Sequence, residues 1–132
     1  MTFQYSTTLR TNQVAQIQST IGTSGSLKIF SGAEPANCAA SDPSGLLATI
    51  TLPSTFLTSS GGATTIAGTW STTGSSNGTA LSFRMYDGSA VCHTQGSVTA
   101  TGGGGDLTLD NTSIATGQTV TVTTCTITAG NA

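Results

Sequence analysis

The chain has 132 residues, of which only three are lysine or arginine and five are aspartate or glutamate, so the net charge is −2. The charged fraction of 6% is far below the roughly 25% that is typical of soluble domains. Three cations are too few to neutralise nucleic-acid phosphates, and no apolar run approaches the roughly 20 residues of a membrane helix. A hydrophobic fraction of 36% argues against charge-driven disorder and favours one small folded domain. We therefore expect neither a nucleic-acid partner nor a membrane partner.

The one helical pattern lies near the N-terminus, over residues 6–22. Ser6 or Thr7 is a suitable N-cap, and Gly22 is a suitable residue to end the helix. The apolar stripe is narrow, which predicts a peripheral helix that lies on the rest of the domain or packs on a neighbouring subunit. We divide the chain into an N-terminal arm with helix (1–25) and a β-domain (26–132), together one compact domain. The apolar residues at helical spacing are Leu9, Val14, Ile17 and Ile21.

Beyond the helix, apolar residues alternate with polar ones between turns rich in glycine and proline. Short strands are predicted over residues 26–31, 46–52 and 64–70, with a loop at 31–44 and a flexible turn at 71–78. Threonine is β-branched and suits exposed strand positions, so the threonine-rich stretches indicate strands. The pattern predicts a mainly β fold: a β-sandwich or jelly-roll-like domain of about seven or eight antiparallel strands with one N-terminal helix.

The second half of the chain contains the clearest local signals. Asp87-Gly88 separates two alternating segments, which predicts a β-hairpin with a tight type I′ turn. Four consecutive glycines at 102–105 predict a loop tip or a mobile hinge. In the last strand, residues 118–128, the apolar positions change parity. Either this strand is buried on both faces or a β-bulge near Thr123-Thr124 resets its register. We favour the bulge, which would let the strand serve two sheets.

No pattern indicates catalysis, a cofactor, a metal or a small-molecule substrate. His93 lies within a predicted strand, and no G-x-S-x-G motif frames a serine. For the three cysteines, Cys38, Cys92 and Cys125, we favour free thiols that act as small buried hydrophobes. One disulfide with one remaining thiol is the alternative. A zinc site at Cys92, His93 and Cys125 is disfavoured, because adjacent strand residues point to opposite faces.

The few charged residues are candidates for interaction. Lys28 and Arg84 lie within predicted strands, and Arg10 lies within the predicted helix. A single cation on a strand faces solvent, blunts a sheet edge or contacts a partner. In so neutral a chain we take Arg10, Lys28, Arg84 and Tyr86 as the candidate interface, since Tyr86 shares a strand face with Arg84.

A further pattern is the order of four short segments. They are STTLRTN (6–12), LKIFSGAEPA (27–36), GLLATI (45–50) and GTALSFRMYD (78–87). In this order they resemble small virion proteins of tailed bacteriophages and prophages, a family for which no site residues carry over. The resemblance implies a non-enzymatic virion protein.

Among virion proteins, a small β-rich chain with a neutral surface suits a capsid decoration or cement protein. Such a protein would bind between major capsid proteins and contact copies of itself. A surface with few like charges tolerates close packing of many copies. The alternative is a tail or fibre component with a host-recognition role. We expect localisation to the virion in either case.

Overall fold

The computed structural model describes residues 3–131 and contains, within that range, one α-helix followed by twelve β-strands. The prediction of a mainly β fold with one N-terminal helix is confirmed. The helix, α1, spans Thr7–Ile21. The strands are β1 (Ser26–Phe30), β2 (Leu46–Thr51), β3 (Leu57–Ser60), β4 (Ala63–Ile66), β5 (Ser71–Thr73), β6 (Gly78–Thr79), β7 (Ser82–Tyr86), β8 (Cys92–Ala100), β9 (Leu107–Leu109), β10 (Ser113–Ile114), β11 (Thr119–Cys125) and β12 (Ile127–Thr128).

Both ends of α1 have the caps that the sequence predicted. The Ser6 hydroxyl accepts a hydrogen bond from the Leu9 amide at 3.1 Å, which satisfies one of the free donors of the first turn. Gly22 has a φ of 81° and donates its N–H to the Gln18 carbonyl at 2.8 Å. The helix buries Val14 and Ile21, and through Ile21 it joins the hydrophobic core.

The main sheet has seven strands in the order β2-β1-β7-β8-β9-β11-β5. Its neighbouring strands are antiparallel except β8 and β9, which are parallel, so the sheet is mixed and not wholly antiparallel as the sequence indicated. Ser75, which follows β5, donates its N–H to the Leu47 carbonyl in β2 at 2.8 Å. The two outer strands of the order therefore lie beside each other, and the sheet curls around the core.

The glycine run at 102–105 makes the parallel pair possible. Parallel neighbours usually need a connection of about a dozen residues or more, but here residues 101–106 suffice. Gly102 and Gly104 have φ values of 86° and 82°, and a Cβ atom on Gly103 would lie 2.8 Å from the Thr99 side chain. The segment forms a loop tip between two strands, as the sequence predicted, with residues 102–104 exposed.

The last long strand contains the predicted bulge. Val122 pairs with Leu109 and Thr124 pairs with Thr108, which leaves Thr123 as the extra residue. The hydroxyl of Thr108 lies 2.6 Å from that of Thr123 and 2.7 Å from that of Thr124. Beyond the bulge, β12 pairs with β4 in a separate three-stranded sheet. This segment of the chain thus serves two sheets, as expected.

The hairpin at Asp87-Gly88 forms, but its predicted turn type is wrong. Its loop has three residues between Asp87 and Val91, whose backbones pair at 3.0 Å. The positive φ falls on Ala90, at 62°, and not on Gly88. The Asp87 carboxylate accepts hydrogen bonds from the amides of Ser89 and Val91 at 2.8 and 3.1 Å. This side chain, which replaces backbone partners in the turn, makes the longer loop stable.

Two stretches contain more strand than the sequence indicated. Residues 71–78, expected to be a flexible turn, contain β5 and the start of β6, and β3 was not predicted. The strand predicted over 64–70 ends at Ile66. The core nevertheless includes Trp70, which packs at a tilt against Phe56 with 6.1 Å between ring centroids.

Candidate functional site

The structure places two of the four candidate interface residues in the interior. Arg84 and Tyr86 are only 2% and 4% exposed, and the other residues of β7 are also buried. The cause is residues 31–45, between β1 and β2, which we call the strap. The strap crosses the outer face of β7 and β8, the face to which Arg84 and Tyr86 point. The prediction that these two residues contact a partner is therefore wrong, and a solvent-facing role for Arg84 is equally excluded.

Arg84 binds the strap through its whole guanidinium group. Nη1 donates to the Ala40 carbonyl at 3.0 Å and to Asp42 Oδ1 at 2.9 Å, and Nη2 donates to the Asn37 carbonyl at 2.9 Å. Nε and Nη2 both donate to Gln95 Oε1 on β8, at 3.2 and 3.0 Å. A guanidinium has five N–H groups, and five hydrogen bonds are present. Arg84 thus joins the strap to two strands at once.

Asp42 and Tyr86 complete this arrangement, which we call the Arg84 cluster (Arg84, Asp42, Tyr86 and Gln95). The Tyr86 hydroxyl donates to Asp42 Oδ1 at 2.6 Å. This hydrogen bond, together with Arg84, holds the pKa of Asp42 below its ordinary 3.8, against the opposing effect of burial. Burial and the hydrogen bond to Asp42 raise the pKa of Tyr86. At neutral pH the carboxylate is therefore charged and the phenol keeps its proton to donate.

The other two candidate interface residues, Arg10 and Lys28, are partly buried. Arg10 donates from Nε and Nη2 to the Ala129 carbonyl, at 3.3 and 3.2 Å. Its guanidinium also covers Gly62, where a Cβ atom would lie 2.7 Å from Arg10 Cζ. The Lys28 ammonium lies 4.9 Å from the centroid of the Tyr86 ring, a cation–π contact. Both cations have partners within the chain.

Polar side chains also fix α1 on its own domain. Gln18 Oε1 accepts the amides of Phe56 and Leu57 at 3.0 and 2.7 Å, and Thr11 Oγ1 accepts the amide of Gly62 at 2.9 Å. These contacts explain why a narrow apolar stripe is enough to hold the helix. Of the two placements that the sequence left open, the structure has the helix packed on the same chain.

The sequence did not reveal Asp42, Gln95 or Gln18 as important residues. One signal was available for the strap. A connection of fifteen residues is longer than most turns require, so such a segment usually packs on the domain or carries a function. The strap contains two acids, Glu34 and Asp42, and Arg84 is a cation on the sheet that one of them can meet. The partner of that acid is decided by contacts between residues more than 40 positions apart.

A cleft of about 600 Å³ lies beside the Arg84 cluster. His93 Nε2 lies 2.8 Å from Asp87 Oδ2, and this contact lowers the pKa of Asp87. Burial, with the nearby charge of Asp106, raises the pKa of the Cys125 thiol to about 12, so Cys125 is not a nucleophile at neutral pH. The cleft is lined by Ile17, Asn37, Cys38, Phe83, His93, Thr94, Gln95, Asp106, Cys125, Thr126, Ile127 and Thr128.

The three cysteines are free thiols in the structure. Cys125 is buried, as a small hydrophobe would be, whereas Cys38 and Cys92 are partly exposed. Among the described residues, no three histidine, cysteine or acidic side chains are grouped so that they could hold a metal ion.

No family model, curated protein or solved structure matches this chain. Over residues 3–131, no helix has the length and apolar character needed to cross a bilayer. The functional proposal therefore depends on the residues of this chain and on the resemblance of its four ordered segments.

Proposed function

We propose that this protein is a non-enzymatic structural component of a tailed-phage virion, and that it decorates the capsid by binding between major capsid proteins. The order of the four segments supports a virion protein. The small β-rich domain, in which a neutral surface surrounds one core, supports a subunit used in many copies. In the cleft, His93 is paired with Asp87, and the Cys125 thiol stays protonated at neutral pH. These residues therefore offer no activated nucleophile.

The observation that carries this proposal is the nearly uncharged surface. Only three cations are present in the chain, and Arg84 is withdrawn into the interior. Arg10 is engaged with the Ala129 carbonyl, and Lys28 lies over an aromatic ring. Four of the five acids are exposed, so the surface is weakly negative. Because the charges are so few, repulsion between neighbouring copies is weak, and an interface must be formed mainly by apolar and hydroxyl groups.

Exposed leucines provide such a contact surface at one end of the main sheet. Leu46 and Leu81 are 39% and 51% exposed. They flank Phe30 on opposite sides: Leu46 is its partner on β2, and Leu81 donates its N–H to the Phe30 carbonyl at 2.9 Å. We propose this pair, in place of Arg84 and Tyr86, as part of the surface that meets the capsid.

The test is binding to expanded, empty capsids of the phage that encodes the chain. The purified protein should co-sediment with these capsids and raise the temperature at which they disassemble. Burying one leucine contributes about 1.5–3 kcal/mol, so replacing Leu46 and Leu81 by serine should weaken binding at least tenfold. Val91→Ser is the matched control, because Val91 is also 51% exposed but lies in the hairpin loop region. Equal loss in both variants would reject the leucine surface.

The alternative is a tail or fibre component with a host-recognition role. Exposed polar loops are frequent recognition surfaces, and residues 102–104 are exposed at such a loop. Antibody labelling of intact particles separates the two functions. Label over the head supports decoration, whereas label on tails, with no binding to purified heads, would overturn the capsid proposal.

A further inference from the structure

Cys38 and Cys92 belong to different parts of the chain but lie on the same face of the fold. Cys38 lies in the strap, between the Asn37 and Ala40 carbonyls that bind Arg84 at 2.9 and 3.0 Å. Cys92 begins β8 and is the backbone partner of Tyr86 on β7. Arg84 and Tyr86 are two positions apart on one strand and therefore point to the same face, the one that the strap covers. The strap thus holds Cys38 above the strand that carries Cys92.

The two thiols are near enough to influence each other. Burial, and after it the Cys38 side chain, raises the pKa of Cys92, and Cys92 Sγ donates to the Thr94 carbonyl at 3.5 Å. Both side chains are partly exposed, so a small oxidant can reach them. The third cysteine, Cys125, is the last residue of β11 and is buried, although it lines the same cleft as Cys38.

We propose that Cys38 and Cys92 form a disulfide under oxidising conditions, which fastens the strap covalently over the Arg84 cluster. This inference is independent of the proposed function, since it depends only on the two thiols and the segment that carries one of them. Noncovalent contacts already hold the strap beside Cys38 and the strand that carries Cys92. Oxidation therefore requires a local adjustment around the two thiols, and reduction reverses it.

The bond can be made by a low-molecular-weight disulfide such as oxidised glutathione. The Cys38 thiolate attacks this disulfide, whose sulfur–sulfur bond breaks and releases one glutathione thiolate. Cys92 then loses its proton to water and attacks Cys38 Sγ, and the second glutathione leaves as a thiolate. Two protein thiols are oxidised by two electrons in total, and one glutathione disulfide is reduced to two thiols, which take up the two protons.

The experiment incubates the full chain with oxidised glutathione, followed by alkylation, intact mass measurement and peptide mapping. The expected product has lost two hydrogen atoms and contains a Cys38–Cys92 linked peptide, with Cys125 alkylated only after unfolding. Because the bond closes a long loop, the melting temperature should rise on the order of 10 °C, and a reductant should reverse the rise.

Single serine variants provide matched controls. Cys125→Ser should still form the bond and show the same rise in melting temperature, whereas Cys92→Ser and Cys38→Ser should show neither. Stable glutathione adducts without a linked peptide would overturn the proposal, as would linkage to Cys125 or between two chains. A correct linkage with an unchanged melting temperature would also overturn it, because the strap would then not be fastened.

Discussion

Replacing Arg84 by lysine tests whether the strap is held by the geometry of the guanidinium or by its charge alone. Lysine keeps the positive charge but presents three donors from one atom, so it cannot serve strap and strand together. A lysine at this position can still donate hydrogen bonds to Asp42 and to one strap carbonyl. The contacts with Gln95 Oε1 and the second strap carbonyl are lost.

The magnitude follows from the bonds that are lost. Hydrogen bonds to a charged group contribute about 1.5 kcal/mol or more each, so the loss of two or three predicts about 3 kcal/mol of destabilisation. This is a large part of the 5–15 kcal/mol that typically stabilises a domain. It corresponds to a fall in melting temperature of roughly 10 °C for a chain of this length.

Urea unfolding, followed by tryptophan fluorescence of Trp70, measures the free energy of unfolding. The midpoint should fall while the slope with denaturant stays the same, since the buried surface is unchanged. Lys28→Gln is the control on the same face. It removes a cation that contacts the Tyr86 ring and weakly attracts Asp42, and it should change stability by less than about 1 kcal/mol. If Arg84→Lys is as mild as this control, the reasoning about the guanidinium is refuted.

Two further predictions concern Asp42 and Ala90. The folded pKa of Asp42 is lowered, so its stabilisation is present above the ordinary value of 3.8 and is lost as the pH falls through the folded value. Asp42→Asn should therefore reduce the loss of stability that urea titrations show as the pH falls from about 5 through the folded value, leaving the part due to Asp87. An unchanged pH profile would contradict this. Ala90→Gly should raise the free energy of unfolding by about 0.5–1 kcal/mol, because a positive φ disfavours alanine by more than glycine gains in the unfolded chain. Ser89→Gly, at a residue without positive φ, should not stabilise.

The sequence predicted the features that depend on near neighbours along the chain. The cap at Ser6, the glycine at 22 and the bulge at Thr123 are each set by the pattern of a few adjacent residues. The mainly β class follows from alternation repeated over the whole chain. These features could be predicted because local backbone preferences and tertiary packing favour the same structure at those positions.

The candidate site was not predictable in the same way. A strand residue has the same sequence signature whether its outer face meets solvent or is covered by another segment. Arg84 was therefore assigned to the surface, although the strap that covers it comes more than 40 residues earlier. The turn type predicted at Asp87 was wrong for a different reason. The Asp87 carboxylate accepts hydrogen bonds within the turn, so a longer loop forms without the positive φ expected at the glycine.

The bond between Arg10 and the Ala129 carbonyl spans 119 residues and has a consequence for how the chain acquires its structure. The contacts of the helix with Phe56, Leu57 and Gly62 span only 38 to 51 residues, so the helix can first dock on β3 and β4. The bond from Arg10 to the Ala129 carbonyl requires the closure of a much longer loop. It therefore forms late in folding, after the helix has docked.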